Sequence, residues 1–111
     1  MFQAKIADLP FRGFSHRLVG ADCGDTNACL YFVNAPPGKG PVLHRHPYDE
    51  LAIVHSGRAL WTVEGREFEV GAGEVLVVKA GERHKFRNIG DTPLVSYDVH
   101  LGKQFEQENL E

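Results

Sequence analysis

The residues best suited to chemistry lie in one short stretch, residues 38–57, GKGPVLHRHPYDELAIVHSG. His44 and His46 are separated by one residue, and Glu50 follows four residues after the second histidine. Side chains on an extended strand alternate between its two faces, so all three side chains point to the same side. Imidazole and carboxylate groups together bind divalent first-row transition metals. The stretch therefore predicts three ligands of a metal ion.

A fourth ligand candidate, His84, opens the segment HKFRN after a glycine turn. Alternation places His84, Phe86 and Asn88 on one face of a strand and three basic side chains on the other. If the basic face is exposed to solvent, His84 points into the interior with the other three ligands. The sequence thus predicts a four-residue metal site, in which mixed imidazole and carboxylate ligation suits Fe, Mn, Ni, Cu or Zn.

Short strands are the elements that must position these residues. From residue 56 onward, glycine-containing turns recur every seven to ten residues, and the segments between them are rich in β-branched and aromatic residues. Further strands are predicted at residues 2–6, 14–19 and 28–33. This pattern is typical of an all-β sandwich or small barrel. Only residues 103–111 have helix-favouring composition, which predicts a short helix that must dock to be stable.

Length and charge limit the function classes. A chain of 111 residues is the size of one domain, so residues 1–111 are expected to form a single domain. Twelve Lys and Arg against fifteen Asp and Glu leave a formal charge of -3, which disfavours nucleic acid and anionic membranes as partners. No secretory leader or membrane-spanning apolar run is recognisable, and a soluble, cytoplasmic protein is expected.

Cys23 and Cys29 are the only cysteines. Their C-x5-C spacing matches neither a zinc motif nor a redox C-x-x-C pair. They flank a turn-like string, so a disulfide across a hairpin is conceivable in geometry. Two reduced thiols are the favoured interpretation for a reducing compartment.

The two histidine-containing segments resemble the two sequence motifs of the cupins, a family of small β-barrels. The first motif, G-x5-H-x-H-x3,4-E-x6-G, is matched at every fixed position, and the second, G-x5-P-x-G-x2-H-x3-N, at all but one. Lys79 stands where the family has proline, which removes a rigid turn residue but no ligand. The matching residues are Gly38, His44, His46, Glu50 and Gly57 in the first motif, and Gly73, Gly81, His84 and Asn88 in the second.

This resemblance implies a double-stranded β-helix, or jelly-roll barrel, in which His44, His46, Glu50 and His84 hold one divalent metal. It also implies a homodimer. The favoured function is a metal-dependent enzyme, dioxygenase-like or isomerase-like, acting on a small molecule inside the barrel. The alternative is a non-catalytic cupin that binds or senses a small ligand. Fold and ligands do not select a reaction, and no general acid or base is identifiable in the sequence.

A substrate pocket is predicted beside the metal, with Trp61, Phe86 and Tyr48 as candidate wall residues. Trp61 has a competing interpretation as a plain core residue, because it alternates with Ala59 and Val63. The series Ser96, Asp98, His100 shares one face of a strand, and either face of that strand can be the inner one. A supporting role for Asp98 is therefore an alternative to an ordinary polar position.

Overall fold

Short antiparallel strands account for almost all regular structure in the protein. The computed structural model describes residues 1–111. Two single 3₁₀ turns, Ile6–Asp8 and Gly20–Asp22, precede and follow the first strands. The strands are β1 Phe11–Arg12, β2 Ser15–Val19, β3 Cys29–Ala35, β4 His44–Arg45, β5 Glu50–Ser56, β6 Arg58–Val63, β7 Arg66–Gly71, β8 Val75–Val78, β9 His84–Asn88, β10 Leu94–His100 and β11 Glu108–Asn109.

The strands form two sheets whose inner faces share one core. The six-stranded sheet has the order β1-β2-β3-β10-β5-β8, and the five-stranded sheet has the order β11-β4-β9-β6-β7. Val33, Val54 and Leu94 from the first sheet pack with Trp61 and Phe86 from the second. The predicted all-β, jelly-roll architecture is confirmed, as two facing sheets rather than one continuously hydrogen-bonded cylinder.

Alternation along the strands decides which residues face this interior. In β9, His84, Phe86 and Asn88 are buried while Arg87 is exposed, as the sequence pattern predicted. In β10 the inner face is the polar one, since the sheet buries its three polar side chains and leaves Tyr97 40% exposed on the outside. The buried polar residues of β10 are Ser96, Asp98 and His100.

The turns that bound the two motifs follow from specific residues. Gly57, between β5 and β6, has φ 88, and a Cβ atom there would lie 2.8 Å from the carbonyl oxygen of Pro93. Only glycine fits this turn. Lys79, which replaces the family proline, donates its backbone N–H to Glu82 Oε1 at 2.7 Å, a bond that proline cannot make. Its Nζ also lies 2.5 Å from Asp49 Oδ2, so side-chain contacts hold this turn.

Residues 103–111 do not form the predicted helix. Instead β11 pairs with β4, with Asn109 opposite His44. The prediction was wrong because a segment of about nine residues has little helical stability of its own. The open edge of β4 offers it backbone partners, such as the 2.8 Å bond from Leu110 N–H to the Leu43 carbonyl.

At the other end of the chain, residues 2–6 form no strand, and the first regular structure is the 3₁₀ turn. The strand predicted at 14–19 is β2, and the one predicted at 28–33 is β3. Cys23 and Cys29 are free thiols. None of the helical segments has the length and apolar character needed to cross a membrane.

Candidate metal centre

The four predicted ligands come from three places in the chain and meet between the sheets. β4 and β9 pair so that His44 lies directly opposite His84. His46 follows β4, and Glu50 begins β5 in the other sheet. All four side chains are buried, and their ligand atoms lie within 4.8 Å of one another. The four residues that the sequence predicted as metal ligands are therefore neighbours in the structure.

Backbone carbonyls fix the tautomer of each histidine in the cluster. The Nδ1 atoms of His44, His46 and His84 lie 2.6, 2.7 and 2.8 Å from the carbonyl oxygens of Val42, Glu106 and Glu82, respectively. A carbonyl oxygen only accepts, so each Nδ1 carries the proton and donates it. Each neutral ring then presents its Nε2 lone pair to the centre, the arrangement usual for metal-ligating histidines.

The carboxylate of Glu50 lies at the centre of these rings. Its Oε1 is 3.2 Å from the Nε2 atoms of both His46 and His84. Nε2 of His46 is nevertheless buried with no hydrogen-bond partner, because with the ring proton on Nδ1 it faces the carboxylate oxygen as a second acceptor. A buried acceptor without a donor is costly, whereas a cation at the centre would satisfy it together with the carboxylate. The donor set therefore fits a divalent transition metal.

The electrostatics favour the metal-binding forms of Glu50 and His44. Burial favours the neutral form of Glu50, but the surrounding imidazoles of His46, His84 and His100 outweigh burial and hold the pKa of this carboxyl well below its usual range. Burial lowers the pKa of His44 to about 4. Burial also acts against charge on His84, but its contact with Glu50 raises the pKa of that imidazole. Glu50 is therefore ionised and His44 neutral at pH 7, as metal ligation requires.

A fourth histidine, His100, lies beside the cluster. It faces Glu50 across the β5–β10 pairing, and its Nε2 is 3.6 Å from Glu50 Oε1. Its Nδ1 lies 3.0 Å from the hydroxyl of Tyr48, which also donates to the carbonyl of Glu106. The sequence left the inner face of β10 undecided. The pattern that could have indicated His100 is the alternation of Ser96, Asp98 and His100 along the strand. This series ends next to Leu101, which belongs to the opposite, apolar series.

A cavity of about 430 Å³ opens onto the metal site. Two of the predicted pocket residues, Trp61 and Phe86, lie in its wall beside His44 and Glu50. Trp61 is also part of the core, so both sequence interpretations describe its position. Tyr48 does not line this cavity, because its hydroxyl is turned to His100 and Glu106.

Asp98, for which the sequence left a supporting role open beside an ordinary polar position, is a further acid in the cavity wall. It is buried, and its only hydrogen-bond partner is the Ser96 hydroxyl, which donates to Oδ1 at 3.0 Å. Burial, reinforced by the charge of Glu50, raises the pKa of Asp98 well above its usual range. The raised pKa favours the protonated form of Asp98, next to the space that a ligand would occupy.

A two-sheet jelly roll with three inward histidines and one glutamate defines a metal-binding β-barrel class of protein. The sequence profile of the family described as Cupin domain matches residues 31–100. The chain belongs to the cupin family, and His44, His46, Glu50 and His84 form its metal-binding site.

The chain is also similar to curated relatives. The chain is 43% identical over 73 residues to the endoribonuclease YbeY of Myxococcus xanthus, covering 65% of this chain and 25% of that protein. It is 32% identical over 60 residues to an oxalate-binding protein of Thermotoga maritima, covering 53% and 50%. The chain thus spans about half or less of the length of these curated relatives.

Among solved structures, the oxalate decarboxylase of Bacillus subtilis, which has Mn(II) centres, superposes with a TM-score of 0.83 at 26% identity. The match covers 94% of this chain and 30% of that enzyme. A formate complex of the Lactobacillus farciminis oxalate decarboxylase gives a TM-score of 0.83 at 25% identity, with 94% and 34% covered.

Proposed function

We propose that this protein is a metal-dependent enzyme that transforms a small molecule inside the barrel. The observation that carries the proposal is that two of the four metal ligands, His44 and Glu50, form part of the wall of the cavity together with the carboxyl group of Asp98. Four protein ligands leave an octahedral ion two further positions. A metal ion and an acid facing one enclosed space are the elements of an active site.

The metal, when bound, would supply Lewis acidity at the cavity wall. The protein's own residues account for the other requirements. Asp98, whose pKa is raised, is placed to give a proton to a bound molecule, and Trp61 and Phe86 exclude water from one side of the cavity. A dioxygenase-like or isomerase-like reaction fits these parts, and the similarity to oxalate decarboxylases adds decarboxylation to the candidate reactions.

Elemental analysis of protein purified without added metal tests the site. We expect about one transition-metal ion per chain in the wild type and a large loss in His46→Ala. Equal metal in both samples would refute the four-residue site. Asp98→Asn separates chemistry from binding, because we expect it to retain the metal and to lose turnover of any substrate found by screening. Full turnover by Asp98→Asn would refute the proposed role of Asp98 as proton donor.

A non-catalytic binding module is the second candidate, and the similarity to the oxalate-binding protein of Thermotoga maritima favours it. In this function the same cavity would hold a small molecule without changing it. Mass spectrometry of the denatured, freshly purified protein distinguishes the two. A stoichiometric ligand that remains chemically unchanged after prolonged incubation with the metal-loaded protein would support binding over catalysis.

We also propose that the protein forms a homodimer through the outer face of the six-stranded sheet. Ile53, Val75, Val77 and Tyr97 expose 43, 60, 53 and 40% of their surface there, which is unusual for large apolar side chains close to one another. Sedimentation equilibrium should therefore show a dimer at micromolar concentration. Val77→Asp should dissociate it, and a monomeric wild type would refute the dimer.

A further inference from the structure

Arg17 is a cation that points into the cavity without an acid to pair with. Arg45, Arg58 and Arg83 all form ion pairs with glutamates on the outer surface. Arg17 instead lines the cavity, forms no ion pair, and has its Nε atom buried without a hydrogen-bond partner. A guanidinium is always charged and carries five donors, so leaving one buried and unsatisfied is unfavourable. The chain itself supplies no acceptor for the Nε atom of Arg17.

Two aromatic rings hold the guanidinium of Arg17 in place. Its Cζ lies 4.7 Å from the ring centre of Tyr31 and 5.6 Å from that of Phe105. Tyr31 in turn stacks on His100 at 4.8 Å. Stacking restrains the planar group and leaves its edge free to form paired hydrogen bonds. Arg17 is thus pre-positioned on the side of the cavity where His100 lies, and His100 is next to the metal site.

The charges that face the cavity favour an anion. The ionisable side chains in its wall, besides the two metal ligands, are Arg12, Arg17, Tyr31, Asp98 and His100. Arg12 and Arg17 are the permanently charged side chains among these, and both are positive. A divalent ion more than offsets the single charge of Glu50. The cavity of the metal-loaded protein is therefore positive at both the metal and the arginine.

Part of the remaining wall is apolar, although Ser15, Gln107 and Asn109 also line it. Phe14, Val33, Trp61 and Phe86 line the space between these polar groups. A volume of about 430 Å³ lies in the range typical of sites for molecules with a substantial carbon skeleton. A two-carbon diacid would leave most of this surface uncovered.

We propose that Arg17 binds a carboxylate group of the substrate, and that this substrate has an aromatic or otherwise apolar body whose opposite end reaches the metal. The planar, forked guanidinium matches a carboxylate in geometry and charge. This inference names the substrate class of the proposed enzyme and rests on the proposed function. Arg17 is then a specificity-determining residue rather than a catalytic one.

Calorimetric titration of the zinc-loaded protein with two probes tests this inference. The probes are 3,4-dihydroxybenzoate and its neutral analogue 3,4-dihydroxybenzamide, which share a metal-chelating catechol and differ in charge at the other end. We expect the wild type to bind the carboxylate about 10- to 100-fold more tightly than the amide, the range for a charged hydrogen bond. Arg17→Gln should reduce this ratio to near one, and Arg17→Lys should give an intermediate ratio.

The exposed Arg87 lies outside the cavity, so Arg87→Gln is the matched control and should keep the wild-type ratio. Zinc content and melting temperature are measured for every variant. Failure of the wild type to bind zinc would overturn the proposed function and this inference with it. Zinc binding with equal affinity for both probes, or with no affinity for either, would overturn the role of Arg17 alone. Tighter binding of oxalate than of 3,4-dihydroxybenzoate would overturn the proposal that the substrate has an apolar body.

Discussion

The two ends of the barrel interior are built by the same strands and have opposite chemistry. β5 presents Glu50 at one end and Val54 at the other, and β10 presents His100 opposite Glu50 and Leu94 at the far end. The inward residues near Glu50 are mostly ionisable, whereas those near Leu94 are mostly aliphatic. Alternation thus determines which residues face inward, and position along the strand determines whether they form a site or a core.

Asn88 shows what distinguishes a structural polar group from a ligand. It is buried in β9 at the apolar end, and its amide donates to the carbonyls of Ala35 and Thr92 at 2.9 and 2.8 Å. Its Oδ1 accepts from Gly90 N–H at 2.8 Å. By contrast, Nε2 of His46 has no hydrogen-bond partner in the chain. The apolar end is complete in itself, while the metal end requires an atom that the chain does not supply.

His84→Ala should abolish metal binding at the metal end of the barrel. We expect the largest of the effects from this variant. With metal at about 1,000 times its dissociation constant, binding stabilises the folded state by about 4 kcal/mol, and the variant should lose this stabilisation. Thermal unfolding with and without metal measures it, and the exposed His55 provides the control His55→Ala. A metal-dependent shift in melting temperature as large as that of the wild type would contradict the site.

Leu94→Ala should damage the other end. Leu94 is 1% exposed in the core, so its truncation leaves a cavity and should lower the free energy of unfolding by about 3 kcal/mol. Urea unfolding measures the loss. Because the site lies at the opposite end, the metal affinity from calorimetry should stay within about twofold of the wild type. A much larger change in metal affinity would mean that the two ends are not independent.

Asn88→Ala tests whether a polar residue can be structural within a metal-binding motif. It leaves the carbonyls of Ala35 and Thr92 and the N–H of Gly90 without their partner, and should cost about 2 kcal/mol of stability. Metal content by elemental analysis should not change. A loss of metal in a folded variant would show that Asn88 contributes to the metal site and is not purely structural.

The smallest effect is expected from pH. Burial lowers the pKa of His100 to about 4, below the roughly 6.5 of an unfolded histidine, so the unfolded chain binds more protons between these values. His100 therefore contributes stability that is fully present above about pH 6.5 and is lost as pH falls towards 4. His44 acts in the same sense, and His84 in the opposite one.

Between pH 7 and pH 6, the contribution of His100 should fall by up to about 1 kcal/mol in the metal-free protein. Urea unfolding at both pH values measures the change, and His100→Phe should reduce it. Leu94→Ala should keep the wild-type pH dependence, since the apolar end carries no titrating group that faces Leu94. An unchanged pH dependence in His100→Phe would show that other groups account for it.

The sequence was sufficient for features that depend on local spacing. The strand period placed His44, His46, Glu50 and His84 on inner faces, and glycine turns located most strands. It was insufficient where the outcome depends on a distant partner. Residues 103–111 became β11 because the edge of β4 was available, more than 50 residues away in the chain.

The inner face of β10 and the position of Arg17 show the same limit. The inner face of β10 could not be chosen from alternation alone, because the strand has one polar and one apolar face and the sheet buries the polar one. Arg17 carried no signal in the sequence. Its position depends on Tyr31, its partner across β2 and β3, and on Phe105 from the far end of the chain.

The bond from His46 Nδ1 to the carbonyl of Glu106 ties a buried metal ligand to a segment on the surface. Metal occupancy and the attachment of residues 104–111 are therefore thermodynamically linked, and each must favour the other by the same free energy. Metal in the interior would slow amide hydrogen exchange at Leu110, whose N–H bonds to Leu43. A protease or binding partner that pulls this segment away would, in turn, promote release of the ion.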